Sequence, residues 1–322
     1  MNLFILGNGF DVAHKVESKY SDFKKFLEEY NPEIEESDMP DINVYVENGK
    51  LCCDRKNAAN IIWHLINSAE QRIEEAIKGG TVEEIVEWNH VEAAMGELDY
   101  SVCYNSYCVG WNDEEDRPDT EAEFALKNQY RSLQIAVAVL QIGDFFNAWA
   151  NQIDIKSKSI KKDFKEYVKE EDIFINFNYT EILEKVYHFK NVYHIHGKKG
   201  SQKLVFGHGN RDFSYDEYED ILYGSSHILG NIHQILQKPV EDIIDRNKPL
   251  WKQIENVTAV YTYGFSYGDV DIPYIRKIIE SCPDCKNWYI EEYPGEEDIK
   301  KYIEIIKREG FKGIIGTFKI VE

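Results

Sequence analysis

The segment LFILGNGFDVAH, residues 3–14, runs four apolar residues directly into Gly7-Asn8-Gly9. A short apolar run that ends in glycine is typical of a buried strand followed by a tight turn. In an open α/β sheet, Gly-x-Gly at this place lets backbone N–H groups approach a phosphate, and the next helix adds its positive N-terminus. Gly-x-Gly alone fits a plain turn equally well, so both interpretations stay open here.

The rest of the dinucleotide-binding fingerprint is missing downstream of Gly9. The chain has no third glycine at the required position, and no acidic residue ends a second strand about 20 residues further on. These two absences disfavour an ordinary nicotinamide-dependent dehydrogenase. They leave a phosphate-binding turn of another kind as a hypothesis.

Strand-like segments are concentrated at the two ends of the chain, and helical patterns at 181–189, 274–280 and 297–308 lie between the later ones. Strands that alternate with helices predict an α/β fold with a Rossmann-like, mainly parallel sheet. The predicted strands are short runs rich in Ile, Val, Phe and Tyr, at 2–6, 172–177, 191–195, 203–206, 257–263, 288–291 and 314–321.

Residues 31–169 have a different pattern. NAANIIWHLINSAEQRIEEAIK (57–78) has apolar residues at helical spacing, and EAEFALKNQYRSLQIAVAVLQIGDFFNAWANQI (121–153) predicts a long helix or a helix pair. We expect no strand in this region apart from a short one at 43–46. We therefore predict a sheet domain formed by 1–30 and 170–322, with a large helical insertion at 31–169.

The formal net charge of -21 bears on the class of partner. General binding to nucleic acid requires Lys and Arg to replace counterions, so this acidic chain is not expected to bind nucleic acid that way. No apolar run reaches the roughly 20 residues of a membrane span, and the N-terminus lacks a signal-peptide pattern. We expect a cytoplasmic protein whose six cysteines are thiols. The single CxxC pair, Cys282 and Cys285, predicts no structural metal.

Polar side chains follow a predicted strand in INFNYTEILEKVY, residues 175–187. Asn176, Asn178 and Thr180 lie where the strand ends and a helix begins. Open α/β sheets bind ligands at this end of their strands. The structural alternative is that Thr180 caps the helix and Asn176 closes the turn.

Histidines follow the next two predicted strands. In YHIHGKKG (193–200), His194 and His196 are two residues apart and share one strand face, and LVFGHGN (204–210) places His208 between glycines. Imidazole and carboxylate groups are metal ligands, so these three histidines with Asp212 would also suit a metal-dependent hydrolase.

A further strand-to-helix turn is YTYGFSYGDVDIPY, residues 261–274, with Gly264, Ser266 and Asp269. Residues 264–268 meet the Gly-x-Ser-x-Gly spacing of a serine hydrolase. That mechanism requires a later acid and then a histidine, and no histidine follows His233. The turn is therefore a candidate for the ligand site rather than for a nucleophile.

Together these turns resemble a known family. LFILGNGFDVAHKVESKYSDF, FNYTEILEKVY, HIHG with LVFGHG, and YGFSYGDVDIPY are similar to segments of the AbiH proteins of bacterial abortive infection against phage. The helical middle matches mainly at WNHVEAAMGELD. The resemblance implies an antiphage function with a phage-derived trigger, and it leaves the oligomeric state open.

AbiH proteins in turn resemble the sirtuin-type NAD-binding fold. The segment 7–11 is similar to the sirtuin Gly-Ala-Gly-x-Ser loop, Asn178 falls at the asparagine of Gln-Asn-x-Asp, and His196 falls at the active-site His-Gly. Gly264 and Ser266 resemble the Gly-Thr-Ser loop that holds the cofactor. Aspartate replaces the loop serine, threonine replaces the aspartate, and the zinc cysteines are absent, which argues against protein deacetylation.

The resemblance implies that the protein binds NAD and hydrolyses its nicotinamide–ribose bond without a metal. Asn178 would hold the nicotinamide ribose or the attacking water, and His196 would take a proton from a ribose hydroxyl or from water. The expected cofactor contacts are Gly7, Asn8, Gly9, Phe10, Asp11, Asn176, Thr180, Gly264, Ser266 and Asp269, and the expected pocket residues are His194, His208 and Glu92.

Trp88 and Glu92 lie four residues apart in the predicted insertion and so share one helix face. We expect both to approach the site; the structural alternative is a surface acid beside a core tryptophan. Two alternatives for the whole protein stay open. One is a nucleotide-binding sensor or interaction module without catalysis, and the other is the His-based metal-dependent hydrolase.

Overall fold

The computed structural model describes residues 1–30, 42–76, 92, 95–96, 98, 100–104, 111–112, 117–211, 223–293 and 295–320. Its strands are β1 (Asn2–Leu6), β2 (Val44–Glu47), β3 (Lys50–Cys53), β4 (Trp111–Asn112), β5 (Arg117–Pro118), β6 (Ile173–Asn176), β7 (Val192–His194), β8 (Ala259–Tyr263), β9 (Asn287–Glu291) and β10 (Ile314–Phe318). Its helices are α1 (Asn8–Ala13), α2 (Tyr20–Glu28), α3 (Arg55–Ala76), α4 (Glu121–Val139), α5 (Ile142–Gln152), α6 (Lys162–Tyr167), α7 (Ile182–Lys185), α8 (Ser226–Ile235), α9 (Val240–Arg246), α10 (Lys248–Gln253), α11 (Ile272–Ser281) and α12 (Glu296–Arg308).

Six strands form one parallel sheet in the order β10-β9-β8-β1-β6-β7. The chain runs outward from β1 through β6 to β7, returns to the other side of β1 as β8, and continues outward to β10. This is the strand order of a doubly wound, Rossmann-like sheet, with its topological switch point between β1 and β8. The predicted α/β fold is confirmed. Leu3 lies opposite Ile173, so 2–6 and 172–177 share a sheet as predicted.

Both faces of the sheet are covered by helices. Alternation along β1 places Leu3 and Ile5 in one hydrophobic cluster and Phe4 and Leu6 in the other. The Phe4 side packs with α1, α2 and the helices between residues 55 and 152, and the Leu3 side packs with α9 to α12. Burial on both faces explains why the strands are nearly continuous apolar runs.

The region 121–153 forms two helices, α4 and α5, with a break at Leu140 and Gln141. Among the residues that the structure describes, Glu121–Gln152 is the one helical stretch long and apolar enough to cross a membrane by length and composition alone. Of its most apolar window, 61% is buried inside the protein. Its apolar side chains therefore belong to the core beside the sheet.

A hairpin follows residue 43. The predicted strand at 43–46 is present as β2, but it pairs antiparallel with β3, which we did not predict. Asn48 and Gly49 form the turn with φ of 51° and 75°, and Asn-Gly is the sequence signal for such a turn. A second short antiparallel pair, β4 with β5, also lies in this region, so the expectation of a single strand there is wrong.

The predicted strand at 203–206 is wrong as well. This segment joins no sheet. The Val205 N–H donates to the His196 carbonyl, and the side chains of the segment pack against the protein. Leu204 is buried, and Phe206 stacks on Phe146 of α5 at 4.6 Å. The predicted helix at 181–189 is shorter than expected, because His188 has a φ of 62° and ends the helical path after α7.

Three glycines bring the ends of β1 and β8 into backbone contact. The Gly7 N–H donates to the Tyr263 carbonyl at 3.1 Å, and the Gly9 N–H donates to the Gly264 carbonyl at 3.0 Å. A Cβ on Gly264 would lie 2.3 Å from the Phe10 nitrogen, and a Cβ on Gly9 would lie 2.6 Å from the Gly264 Cα. Side chains cannot occupy this contact, so the glycines are required by packing at the switch point.

Replacing Gly264 with alanine is expected to destabilise the protein much more than replacing Gly49. Both residues have positive φ, 61° and 75°, and each alanine incurs a left-handed backbone penalty of roughly 1–2 kcal/mol. Nothing lies within 4 Å of a Cβ at Gly49, so Gly49→Ala measures that penalty alone. Chemical denaturation of both variants gives the two free energies of unfolding. Equal losses would contradict the backbone contact at the switch point.

Candidate functional site

The carboxyl ends of β1 and β6 are tied together by Asn178. Its side-chain amide donates to the Gly7 carbonyl at 2.9 Å, and its backbone N–H donates to the Asn176 Oδ1 atom at 3.0 Å. Asn176 and Asn178 are both buried. The structure therefore brings the predicted turn and the predicted amides together at the edge where such sheets bind ligands.

Asp11 and Thr180 form a buried pair beside this junction. The Thr180 hydroxyl donates to the Asp11 Oδ1 atom at 2.9 Å, and the Oδ2 atom is buried without a hydrogen-bond partner. Burial raises the pKa of Asp11 to about 7, against a smaller lowering by the Thr180 hydrogen bond. Asp11 is thus a buried carboxyl group with a raised pKa and one oxygen that has no hydrogen-bond partner.

The other residues of the β1 turn have protein partners. The N–H groups of Gly7 and Gly9 donate to carbonyls of the β8 end, and the Asn8 amide donates to the Ser18 carbonyl at 2.8 Å. Phe10 is buried, with its ring 5.2 Å from that of Phe164. Packing alone accounts for the glycines, and the contact of this turn with a cofactor stays a prediction.

His194 and His196 have different surroundings. The His194 Nε2 atom lies 2.8 Å from the Glu184 carboxylate, and its Nδ1 atom lies 3.1 Å from the Asn178 carbonyl. His196 is 3% exposed, has a backbone hydrogen bond with Phe177, and has no partner at Nε2. Burial and the nearby Lys238 ammonium hold the pKa of His196 well below its usual range. The imidazole is therefore neutral at physiological pH.

A buried cluster of charged groups adjoins His196. The Lys238 Nζ atom lies 2.5 Å from the Glu92 carboxylate and 3.3 Å from the Asp271 Oδ1 atom, which lies 3.8 Å from the His196 Nε2 atom. We call Glu92, Lys238, Asp271 and His196 the buried charge cluster. The Lys238 side chain has no exposed surface. Two carboxyl groups thus share one ammonium group whose side chain has no exposed surface.

Burial and charge act on the pKa values of the cluster in opposite directions. The pKa of Glu92 is raised to about 7, mainly by burial. The Lys238 ammonium acts against this rise, and the Asp271 carboxylate adds to it. Burial likewise raises the pKa of Asp271 against the opposing effect of Lys238. Burial alone would lower the pKa of Lys238, but the two carboxylates outweigh it, so the amine stays protonated.

Glu92 contacts Lys238, Lys238 contacts Asp271, and Asp271 lies beside His196, so Glu92 belongs to the site as predicted only through these intermediate contacts. Trp88, predicted to accompany it, lies outside the described residues. Near the cluster, the Tyr179 hydroxyl donates to the Val205 carbonyl at 2.7 Å.

A cleft of about 870 Å³ lies next to the cluster. Its walls are formed mainly by residues 208–211, 237–241 and 267–270 and by Lys301 of α12, so Lys238 belongs to both the cleft and the cluster. Of the predicted site residues, His208 and Asp269 line this cleft. Asp269 is exposed. Ser266, which follows β8 in the same turn, is half-buried.

His208 is fully buried and separate from the other predicted histidines. Its Nε2 atom lies 3.1 Å from the His233 carbonyl, its ring centroid lies 4.2 Å from that of His233, and its Nδ1 atom has no partner. Burial and His233 lower the pKa of His208 to about 4. His208 is therefore a neutral group in the cleft wall.

The metal-hydrolase alternative has no assembled ligand set in the described part of the chain. There, no three His, Cys, Asp or Glu side chains are grouped so that they could hold a metal ion. Asp212, the fourth ligand of that hypothesis, lies outside the described residues. No disulfide joins the five cysteines that the structure describes, and Cys108 lies outside them.

The sequence analysis missed Lys238, Asp271 and Tyr274 as site residues. Asp271 has a local signal, because an aspartate before a helix with proline in its first turn predicts an N-cap. Its side chain makes no cap hydrogen bond and contacts Lys238 instead. Lys238 precedes Pro239 with no pattern around it, so its role follows only from the tertiary structure.

The ionisation of Asp11 is expected to make the protein less stable as the pH rises. The folded-state pKa is about 7 against an ordinary value of 3.8, so the folded protein holds this proton where the unfolded chain has lost it. Stability from this group is complete below about pH 4 and is lost as the pH rises through 7. A shift of about three units corresponds to roughly 4 kcal/mol.

Asp11→Asn removes this titration while keeping an oxygen for Thr180. Urea denaturation between pH 4.5 and pH 8 should therefore show a smaller loss of stability in Asp11→Asn than in the wild type. Asp245→Asn, at an exposed carboxylate of α9, is the matched control and should retain the wild-type slope. An unchanged slope in Asp11→Asn would show that this carboxyl is not held protonated by the fold.

The comparisons with known proteins bear on the whole of this arrangement. The family model described as "Bacteriophage abortive infection AbiH" matches residues 3–291, which include β1, the helical region and the sheet as far as β9. Comparison with curated proteins and with solved structures gave no significant match. Since the family match covers most of the 322 residues, the chain belongs to the AbiH family of bacteriophage abortive infection.

Proposed function

We propose that this protein acts in antiphage abortive infection in the cytoplasm by binding NAD and hydrolysing its nicotinamide–ribose bond. Membership of the AbiH family supports the antiphage role. The observation that carries the enzymatic part is His196, a buried neutral imidazole whose Nε2 atom has no partner. A neutral imidazole with a free lone pair is the state in which histidine accepts a proton.

In the proposed reaction, water attacks the anomeric carbon of the nicotinamide ribose. The C–N bond breaks with its electron pair going to nicotinamide, which leaves as a neutral ring and so needs little acid help. The water oxygen forms the new C–O bond, and its proton passes to the His196 Nε2 atom. A positioned base of this kind contributes about 10²–10⁴ to the rate.

The surroundings of His196 are consistent with a nucleotide ligand. The cleft volume of about 870 Å³ lies within the range of small-molecule sites. Lys301 on its wall provides positive charge for a pyrophosphate, whereas Arg211 there is paired with Glu241. The proposed likeness to sirtuin-type NAD-binding proteins rests on the sequence segment 7–11, Asn178, His196, Gly264 and Ser266, and the strand order is consistent with it.

A sensor that binds a nucleotide without cleaving it is the second candidate. The specific observation in its favour is that Asn178 uses its amide to hold the Gly7 carbonyl. A structural role therefore explains Asn178 without chemistry. In this version a phage-derived trigger would act through binding alone.

Purified protein incubated with NAD and analysed by chromatography tests the proposal. We expect release of nicotinamide and ADP-ribose, and a loss of at least about 100-fold in turnover for His196→Gln, because the base is removed. His227→Gln, at an exposed histidine of α8, is the matched control and should retain full turnover. Wild-type protein that binds NAD by calorimetry but leaves it intact would support the sensor instead. Absence of both binding and cleavage would refute the NAD assignment.

Asn178→Ala separates its structural role from a catalytic one. Loss of the bond to the buried Gly7 carbonyl is expected to cost about 1–3 kcal/mol of stability. If Asn178 also orients the substrate, turnover per folded molecule should fall as well. A variant that is destabilised but has normal turnover per folded molecule assigns Asn178 to the fold alone. In cells, phage plaque counts at matched protein levels should follow turnover.

A further inference from the structure

The buried charge cluster contains two polar atoms that face each other without a bond between them. The His196 Nε2 and Asp271 Oδ1 atoms are 3.8 Å apart, which is too long for a direct hydrogen bond. A single oxygen atom can nevertheless lie about 2.8 Å from both of them. The geometry therefore provides two acceptors for the two hydrogens of one water molecule.

A third polar atom lies near this position. The Tyr274 hydroxyl is buried without a hydrogen-bond partner, and its ring centroid lies 5.9 Å from that of His196. Buried polar groups in folded proteins are nearly always hydrogen-bonded. Two unpartnered atoms on neighbouring rings point to a polar group that binds between the β7 end and α11.

Asp271 is held in place by Lys238 through the same oxygen atom that faces His196. Its Oδ1 atom accepts from the Lys238 ammonium at 3.3 Å, and the Glu92 carboxylate lies 2.5 Å from the same ammonium. Lys238 has no exposed side-chain surface. A buried ammonium with two carboxylate partners has little freedom to move, so it fixes the direction of the Asp271 carboxylate.

We propose that Asp271 is a second catalytic residue, which accepts one O–H of the attacking water while the His196 Nε2 atom accepts the other, and that Lys238 and Glu92 are its positioning residues. The proposal rests on the proposed function above and names further residues of the same site. The hydrogen bond to Asp271 orients the water oxygen toward the anomeric carbon. The other O–H bond breaks as the C–O bond forms, and its proton passes to His196.

The electrostatic surroundings suit this division of roles. The ionisable groups that face His196 are Asp271 and Tyr274 from the start of α11 and Lys238 from the segment before α9, with Glu92 behind Lys238. The Lys238 ammonium disfavours a proton on His196 before the reaction. The neighbouring carboxylate then stabilises the imidazolium that forms when the proton is transferred.

Side-chain ¹⁵N NMR of histidine-labelled protein tests the linkage without NAD. In the wild type, the His196 Nε2 signal should have the position of an unprotonated nitrogen. In Lys238→Met the ammonium that disfavours a proton on His196 is gone while the Asp271 carboxylate remains beside it, so the Nε2 signal should move toward that of a protonated nitrogen. Asp245→Asn is the control and should leave the signal unchanged.

Glu92 provides a second pair of variants in case Lys238→Met does not fold. Glu92→Ala removes the partner of Lys238 and should displace the His196 Nε2 signal, whereas Glu92→Gln keeps a hydrogen-bond acceptor and should restore it. Folded Lys238→Met and Glu92→Ala proteins with wild-type His196 signals would overturn the proposal. Stability loss alone would not give this difference between Gln and Ala.

Enzyme kinetics with NAD distinguish a failure of this proposal from a failure of the proposed function. Asp271→Asn should lower kcat for NAD at least tenfold and change KM less than threefold, because its contact is to the attacking water. Normal kcat in this variant overturns the catalytic role of Asp271 while NAD cleavage stands. If wild-type protein does not cleave NAD, the reaction and that catalytic role both fail, and the NMR result alone decides the positioning by Lys238 and Glu92.

Discussion

The backbone contact between the β1 turn and Gly264 is the constraint on which the site depends. It closes the switch point of the sheet without side chains, since a Cβ on Gly264 would overlap the Phe10 nitrogen. The turn then presents the Gly7 carbonyl to the Asn178 amide, which ties in the end of β6. The positions of the polar groups at this edge therefore follow from how closely two main-chain segments approach.

Buried ionisable groups are the second feature of this edge. Asp11, Lys238 and Glu92 are buried and the Asp271 side chain is 15% exposed, although replacing buried ion pairs with apolar residues is often neutral or stabilising. Stability alone therefore does not explain why the fold contains them. The proposed reaction at His196 would explain them, because it requires charged groups whose positions are fixed before the substrate arrives.

Local patterns predicted the sheet because its strands are buried on both faces and so form short apolar runs, as in 2–6, 172–177 and 257–263. The same composition at 203–206 serves a connection packed on α5, a difference that only the tertiary structure decides. The Asn48-Gly49 pair is itself a local signal for the hairpin turn.

The site residues likewise divide into those that local position predicts and those that only the tertiary structure reveals. Asn178 and His196 follow strands and were predicted from that position. Glu92 was expected to approach the site, but its partner there was not predicted. Lys238 and Asp271 are brought together across 33 residues, and Glu92 precedes Lys238 by more than a hundred residues, so no local pattern encodes these contacts.

The helical region is joined to the sheet by both packing and charge, which bears on how the protein works. Phe4 and Leu6 of β1 share one hydrophobic cluster with α3, α4 and α5 as well as with α1 and α2, so the helical region and the sheet form a common core. Glu92 adds a charged contact from the same region to Lys238. A ligand that binds the helical region and shifts Glu92 would therefore change the group that contacts Asp271. Under the proposed function, the helices would then both cover the sheet and control the chemistry at its carboxyl edge.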